Sequence, residues 1–82
     1  MSWRTCPFEV GKRYVMLKDI SFLNHYLQRG DVVVFKNHAC DFHDGVTRYW
    51  FDNLDGSATN AWHVFDNEPD PSETWKDFFA VE

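Results

Sequence analysis

The sequence predicts an all-β domain: a small antiparallel barrel of about five strands with a short C-terminal helix. Three observations carry this. Valines and aromatics gather in short runs, residues 12–17, 31–37, 45–53 and 60–66. Glycine-containing turn signals separate those runs. A single capped stretch near residue 70 has helical spacing.

Taken in order, "KRYVML" at 12–17 follows Gly11 and suits a first strand. Residues 18–30, "KDISFLNHYLQRG", read two ways. Ile20, Leu23 and Leu27 have near-helical spacing, and Asp19 or Ser21 would cap a short helix ended by Gly30. A long loop anchored by Phe22 and Leu27 fits equally. "DVVVFKN" at 31–37 is the clearest strand, because three consecutive valines restrict χ1 and disfavour a helix. "GVTRYWFDN" at 45–53 and "NAWHVFD" at 60–66 follow, joined by the hairpin-turn pair Asp55-Gly56. In "DPSETWKDFF", Asp70 is an N-cap candidate, Pro71 the first helical residue and Glu73 a capping-box partner. Trp75, Phe78 and Phe79 fall at i, i+3 and i+4, a single apolar face that would plug one end of the barrel.

Length and composition narrow the function. Eighty-two residues make one domain, 1–82, with a thin core and little room for a separate cofactor-binding lobe. A hydrophobic fraction of 44% and an aromatic fraction of 18% supply a core that folds by itself. The sequence contains neither a membrane span nor the apolar core of a signal peptide, so a soluble cytoplasmic protein is expected. Cys6 and Cys40 then read as free thiols in a reducing compartment. Residues 1–40 hold six bases against three acids, and residues 41–82 two against ten. Such an acidic half repels nucleic acid and anionic lipid and steers a basic protein towards itself.

The pattern Phe8, Gly11, Lys12, Tyr14, then Gly30, Asp31, Phe35, then Tyr49 and Phe51, with a terminal acidic-aromatic segment, resembles an uncharacterised bacterial family of small SH3-like β-barrel domains. The resemblance implies an SH3-like barrel over most of the chain and brings no catalytic residues with it.

Alternation in "VTRYWFDN" puts Tyr49 and Phe51 on one face and Arg48, Trp50 and Asp52 on the other. If the first face is the core, Trp50 lies outside, unless the terminal helix or the N-terminal arm covers it. Asp41, Asp44, Asp52 and Asp55 fall on this strand or the loops at its ends. An aromatic centre ringed by acids has the composition of a partner-binding face. The partner-binding candidates are therefore Trp50, Asp52, Asp55, Asp41, Asp44 and Arg48. Their expected role is non-enzymatic: a binding module, in its most concrete form a bacterial immunity or antitoxin protein that is a monomer when free and blocks a basic toxin. A solvated face that only keeps the protein in solution is the plainer reading of these acids. A peptide-binding adaptor would instead use a groove of Tyr14, Tyr49 and Trp62.

"NHACDFHDG", residues 37–45, offers His38, Cys40 and His43 as zinc ligands, with Asp41 or Asp44 as a fourth. No second ligand pair completes the site downstream, and a Cys40–His43 nucleophile pair lacks an orienting third residue. A hairpin tip, with turn chemistry from Asp44-Gly45, an Asx-turn at Asp41 and Phe42 folded back on the barrel, accounts for the same residues, so no cofactor is expected. "RGD" at 29–31 reads as a turn opening a strand.

Overall fold

The valine run and the strands around it build one antiparallel sheet. In a computed structural model that describes residues 6–22, 25–41 and 43–82, the strands are β1 (Arg13–Met16), β2 (Ile20–Phe22), β3 (His25–Leu27), β4 (Val32–Asp41), β5 (Val46–Asn53), β6 (Thr59–Phe65) and β7 (Phe79–Val81). The only α-helix among these residues, α1 (Pro71–Thr74), runs into a 3₁₀ turn at Trp75–Asp77. Five strands pair in the order β6-β5-β4-β1-β7, and β2 with β3 forms a separate two-stranded sheet. The molecule is mostly β. Its main sheet has β6 and β7 as its two edges, so the ladder does not close into the expected barrel.

Three segments depart from the sequence expectation. Within 18–30 the described residues Ile20–Phe22 and His25–Leu27 form neither a helix nor a loop but two paired antiparallel strands, a hairpin, with Ile20 opposite Leu27 and Phe22 opposite His25. Ile20, Phe22, His25 and Leu27 turn inward while Ser21 and Tyr26 are exposed, a period of two that the helical spacing of the leucines conceals. Leu23 lies outside the described residues. The terminal helix is shorter than the i, i+3, i+4 pattern implies. Trp75 and Phe78 pack against the core from the 3₁₀ turn and its end, but Phe79 already belongs to β7, opposite Met16. The third departure is in β4, which continues to Asp41 instead of stopping at Asn37.

That extension contains a one-residue bulge. Phe35 pairs with Phe51 and Asn37 with Trp50, so exposed Lys36 has no place in the ladder. A single extra residue reverses which way every later side chain points. Beyond the bulge His38 and Cys40 stand opposite Tyr49 and Thr47, and Ala39 and Asp41 opposite Arg48 and Val46.

The core lies on the other face of the sheet and is centred on Phe8. Its ring has edge-on partners in Tyr14, Tyr49, Phe51, Trp62, Trp75 and Phe79, at centroid distances of 5.0 to 6.1 Å. Phe8 reaches this place through a turn at Glu9–Lys12, where Gly11 adopts φ +84° and donates to Phe35 O at 2.9 Å. The Tyr14 hydroxyl accepts from Glu9 N at 3.0 Å and ties the segment down.

Asp70 caps α1 as its sequence position suggests, its Oδ1 accepting from Ser72 N at 2.9 Å. Asp70→Ala should cost about 1 kcal/mol and lower the thermal midpoint by about 4–8 °C in a domain of this size. Calorimetry of the two proteins checks this.

Candidate functional site

The outer face of the sheet carries the acidic and aromatic residues. Tyr49 and Phe51 are fully buried, which turns Arg48, Trp50 and Asp52 to the opposite side. The Lys36 bulge brings Asp41 to that same side, where its Oδ2 meets Arg48 Nη1 at 3.5 Å. The face therefore reads Asp41, Arg48, Trp50, Asp52 along the strands. Asp44 and Asp55 stand exposed in the turns at the two ends of β5.

Each carboxylate is fixed by its local backbone. Asp41 Oδ1 accepts from His43 N and Asp44 N at 3.1 and 3.2 Å, the Asx-turn expected from the sequence. The Asp44 N–H foremost, then the Arg48 guanidinium and the His43 N–H, hold its carboxyl below the usual carboxylate range. Asp55 is lowered likewise by the hydroxyl and N–H of Ser57. Asp52 accepts from the Thr59 hydroxyl on β6. Arg48 is paired with Asp41, and Arg13, which the β1–β4–β5 register places on the same face through Val34 and Asp52, is paired with Glu82. No ion pair engages Asp44, Asp52 or Asp55 among the described residues. Beside Asp55, an open cleft of about 270 Å³ is lined by Asp31, Val32, Asn53, Leu54 and Asp55.

Trp50 is half-buried. The sequence offers the terminal helix or the N-terminal arm as its cover; the structure uses the β2–β3 hairpin. His25 sets its ring edge-on to Trp50, with centroids 5.5 Å apart. The terminal segment lies on the core side instead, where Trp75 meets Phe8 and Tyr14. Of the arm, residues 1–5 lie outside the described residues.

The hairpin adds residues that the sequence reading did not single out. His25 Nδ1 accepts from Ala61 N at 3.2 Å, and Asn60 Oδ1 accepts from Tyr26 N at 3.1 Å. His63 lies between His25, at a centroid distance of 5.2 Å, and Phe22, at 4.6 Å. His63 Nδ1 is buried without a hydrogen-bond partner among the described residues. Burial first, and then the charges of His25 and Arg48, push its imidazole below the ordinary histidine range against a smaller opposing hydrogen bond with the Ala61 backbone.

The remaining candidates are dispersed. His38 stacks on Tyr49, Cys40 Sγ lies 3.2 Å from Thr47 Oγ1, and His43 is exposed in the turn. Among the described residues no three His, Cys, Asp or Glu side chains come together to hold a metal ion. Residues 43–45 are in the hairpin turn and Gly45 takes φ +64°, while Phe42 lies outside the described residues. Cys6 and Cys40 are free thiols, and burial raises the pKa of Cys6. Tyr14, Tyr49 and Trp62, the groove residues of an adaptor, are 1%, 0% and 7% exposed. They belong to the core and line no surface groove. Arg29 and Asp31 of the RGD tripeptide serve local turns: Arg29 N donates to Asp19 Oδ1, and Asp31 Oδ2 accepts from Gln28 N.

No protein-family model, curated protein or solved structure matches this chain. No helix among the described residues is long and apolar enough to cross a membrane.

Proposed function

We propose that this chain is a non-enzymatic binding module, an open SH3-like β-domain whose acidic, Trp50-centred face engages a basic protein. Its most concrete form is a bacterial immunity or antitoxin protein that occludes a cationic toxin in the cytoplasm. The observation that carries the reading is the charge arrangement of the outer face. The paired cations, Arg48 and Arg13, are neutralised by Asp41 and Glu82, and beside exposed Lys36 the acids Asp52, next to half-buried Trp50, and Asp44 and Asp55, in the turns at the two ends of β5, have no ion pair of their own among the described residues. Such a face attracts a positively charged surface and offers a rigid ring at its centre. The order β7-β1-β4-β5-β6, a hairpin between β1 and β4, and a 3₁₀ turn before β7 support the SH3-like assignment. The free thiols of Cys6 and Cys40 accord with a reducing compartment.

A pull-down with the untagged chain and an Asp52→Lys/Asp55→Lys variant, followed by mass spectrometry, tests the reading. Trp50→Ala is the less direct variant, because it also removes the ring against which His25 rests. One basic protein retained stoichiometrically by the wild type and lost by the charge reversal is the expected result. Retention that survives both the reversal and high salt would refute the acidic face.

A further inference from the structure

We infer that the β2–β3 hairpin is an acid-released latch over Trp50 and the outer edge of β6, closed when His25 and His63 are neutral and opened by their protonation. The inference concerns regulation of the face proposed above and rests on that reading for its purpose, though not for its mechanics.

The geometry provides a separable element. β2 and β3 pair only with each other and share no ladder with the main sheet. Leu27, 2% exposed, and Ile20 anchor the base of the hairpin in the core. Among the described residues, Phe22 and His25, towards the tip, rest on the outer face: Phe22 on His63 and Phe65, His25 on Trp50 and His63.

The attachment also depends on protonation state. Ala61 N donates to His25 Nδ1, which requires an unprotonated nitrogen there. An imidazolium carries N–H on both nitrogens and has no acceptor to offer, so proton uptake turns this bond into two opposed donors. His63 is the second switch. Its Nδ1 is buried and its ring lies tilted against a second imidazole at a centroid distance of 5.2 Å, so a proton on either ring places a charge in a poorly solvated site beside the other.

The charged groups facing the pair are few. On β5 Arg48 lies opposite His63 and opposes its protonation, and Asp52 occupies the next outward position after Trp50, bonded to Thr59. From β4, Asp41 reaches the site only through Arg48. At the Phe65 end, Glu68 accepts from Phe65 N at 3.1 Å. On β6 and the hairpin the facing titratable groups are His63 and His25 themselves.

The sign follows from proton linkage. With the latch closed, His63 binds protons less readily than the freely solvated imidazole, whose pKa is about 6.5. The open form therefore holds more protons in mild acid, and closure weakens as pH falls through and below that value. Opening uncovers Trp50 and the Ala61 N–H on the edge of β6.

Hydrogen exchange measured by NMR at pH 7.5 and pH 5.5, each value about one unit from the histidine range, tests the latch without a partner. In the wild type the protection factors of the Ala61 and Tyr26 amides should fall about tenfold or more at the lower pH, while Tyr49 and Phe51 in β5 keep theirs. A His25→Gln/His63→Phe double variant, which keeps an acceptor and an aromatic plate but no titrating ring, should lose this dependence. Unchanged wild-type protection at Ala61, equal loss in the double variant, or simultaneous loss at Tyr49 and Phe51 would each overturn the proposal. Should the double variant fail to fold, the two wild-type profiles decide alone. Failure here leaves the binding face standing, and an empty pull-down leaves the latch standing.

Discussion

Phe8→Ala should leave little native protein. The substitution removes the ring on which Tyr14, Tyr49, Phe51, Trp62, Trp75 and Phe79 converge, at an expected cost of about 3–5 kcal/mol. A domain of this length has a total stability of about 4–12 kcal/mol. The cavity cannot be filled locally, because its walls come from β1, β5, β6, β7 and the 3₁₀ turn at once. Phe8→Leu, which keeps an apolar side chain at the centre, should recover part of the loss. Urea denaturation followed by circular dichroism measures both. An alanine variant within about 1 kcal/mol of wild type would show that the residues before β1 are a surface arm and not the centre of the core.

The importance of Phe8 is only half legible in the sequence, which marks it as one residue of a weak motif ahead of Gly11. Local signals give what is local. Three valines announce β4, Asp55-Gly56 announces the β5–β6 turn, and Asp70-Pro71 announces α1, each confirmed by the corresponding element. Segments with two consistent local readings are where the expectation fails. Ile20, Leu23 and Leu27 fit a helix as well as a hairpin, and packing against β6 decides between them. Phe79 fits the helical stripe of Trp75 and Phe78, but pairing with β1 draws it into a strand. The bulge at Lys36 has no glycine or proline to signal it, yet it decides that Asp41 faces Arg48. At the candidate site, alternation in β5 is enough to turn Trp50 outward. Its cover by His25 is not legible, because the bond that seats His25 joins residues 36 positions apart.

The second large effect is on association. Asp52→Lys/Asp55→Lys moves the face from acidic to basic and takes the formal net charge from −5 to about −1, by the reference charges of the four side chains. Binding of a cationic partner should slow about 10- to 100-fold at low salt, an effect on the on-rate more than on the off-rate. Raising the ionic strength should bring the two proteins together, since screening shortens the Debye length to about 8 Å at physiological salt and about 3 Å at 1 M. The fold should tolerate the change, for Asp55 is exposed and the bonds lost are those to Thr59 and to Ser57. Stopped-flow association of the purified pair at several salt concentrations gives the test. Equal on-rates for wild type and variant at low salt would remove electrostatic steering and with it the role assigned to these two carboxylates.

The place of β1 in the sheet has a kinetic consequence. Tyr14 lies opposite Val33 on one side and Val81 on the other, so one short strand joins segments from opposite parts of the chain. The β4–β5–β6 meander closes through short turns and can assemble locally, whereas β7 must find β1 across nearly the whole domain, a search opposed by loop-closure entropy. Refolding should accordingly take milliseconds to seconds, and not the microseconds open to small helical bundles. Because the β1–β7 pairing has the longest loop to close, it is expected to form late, and Val81→Gly should then speed unfolding while leaving the folding rate nearly unchanged, as stopped-flow folding and unfolding rates in urea would measure. The seam between β1 and β7 would then be the last part of the domain to form and the first to part.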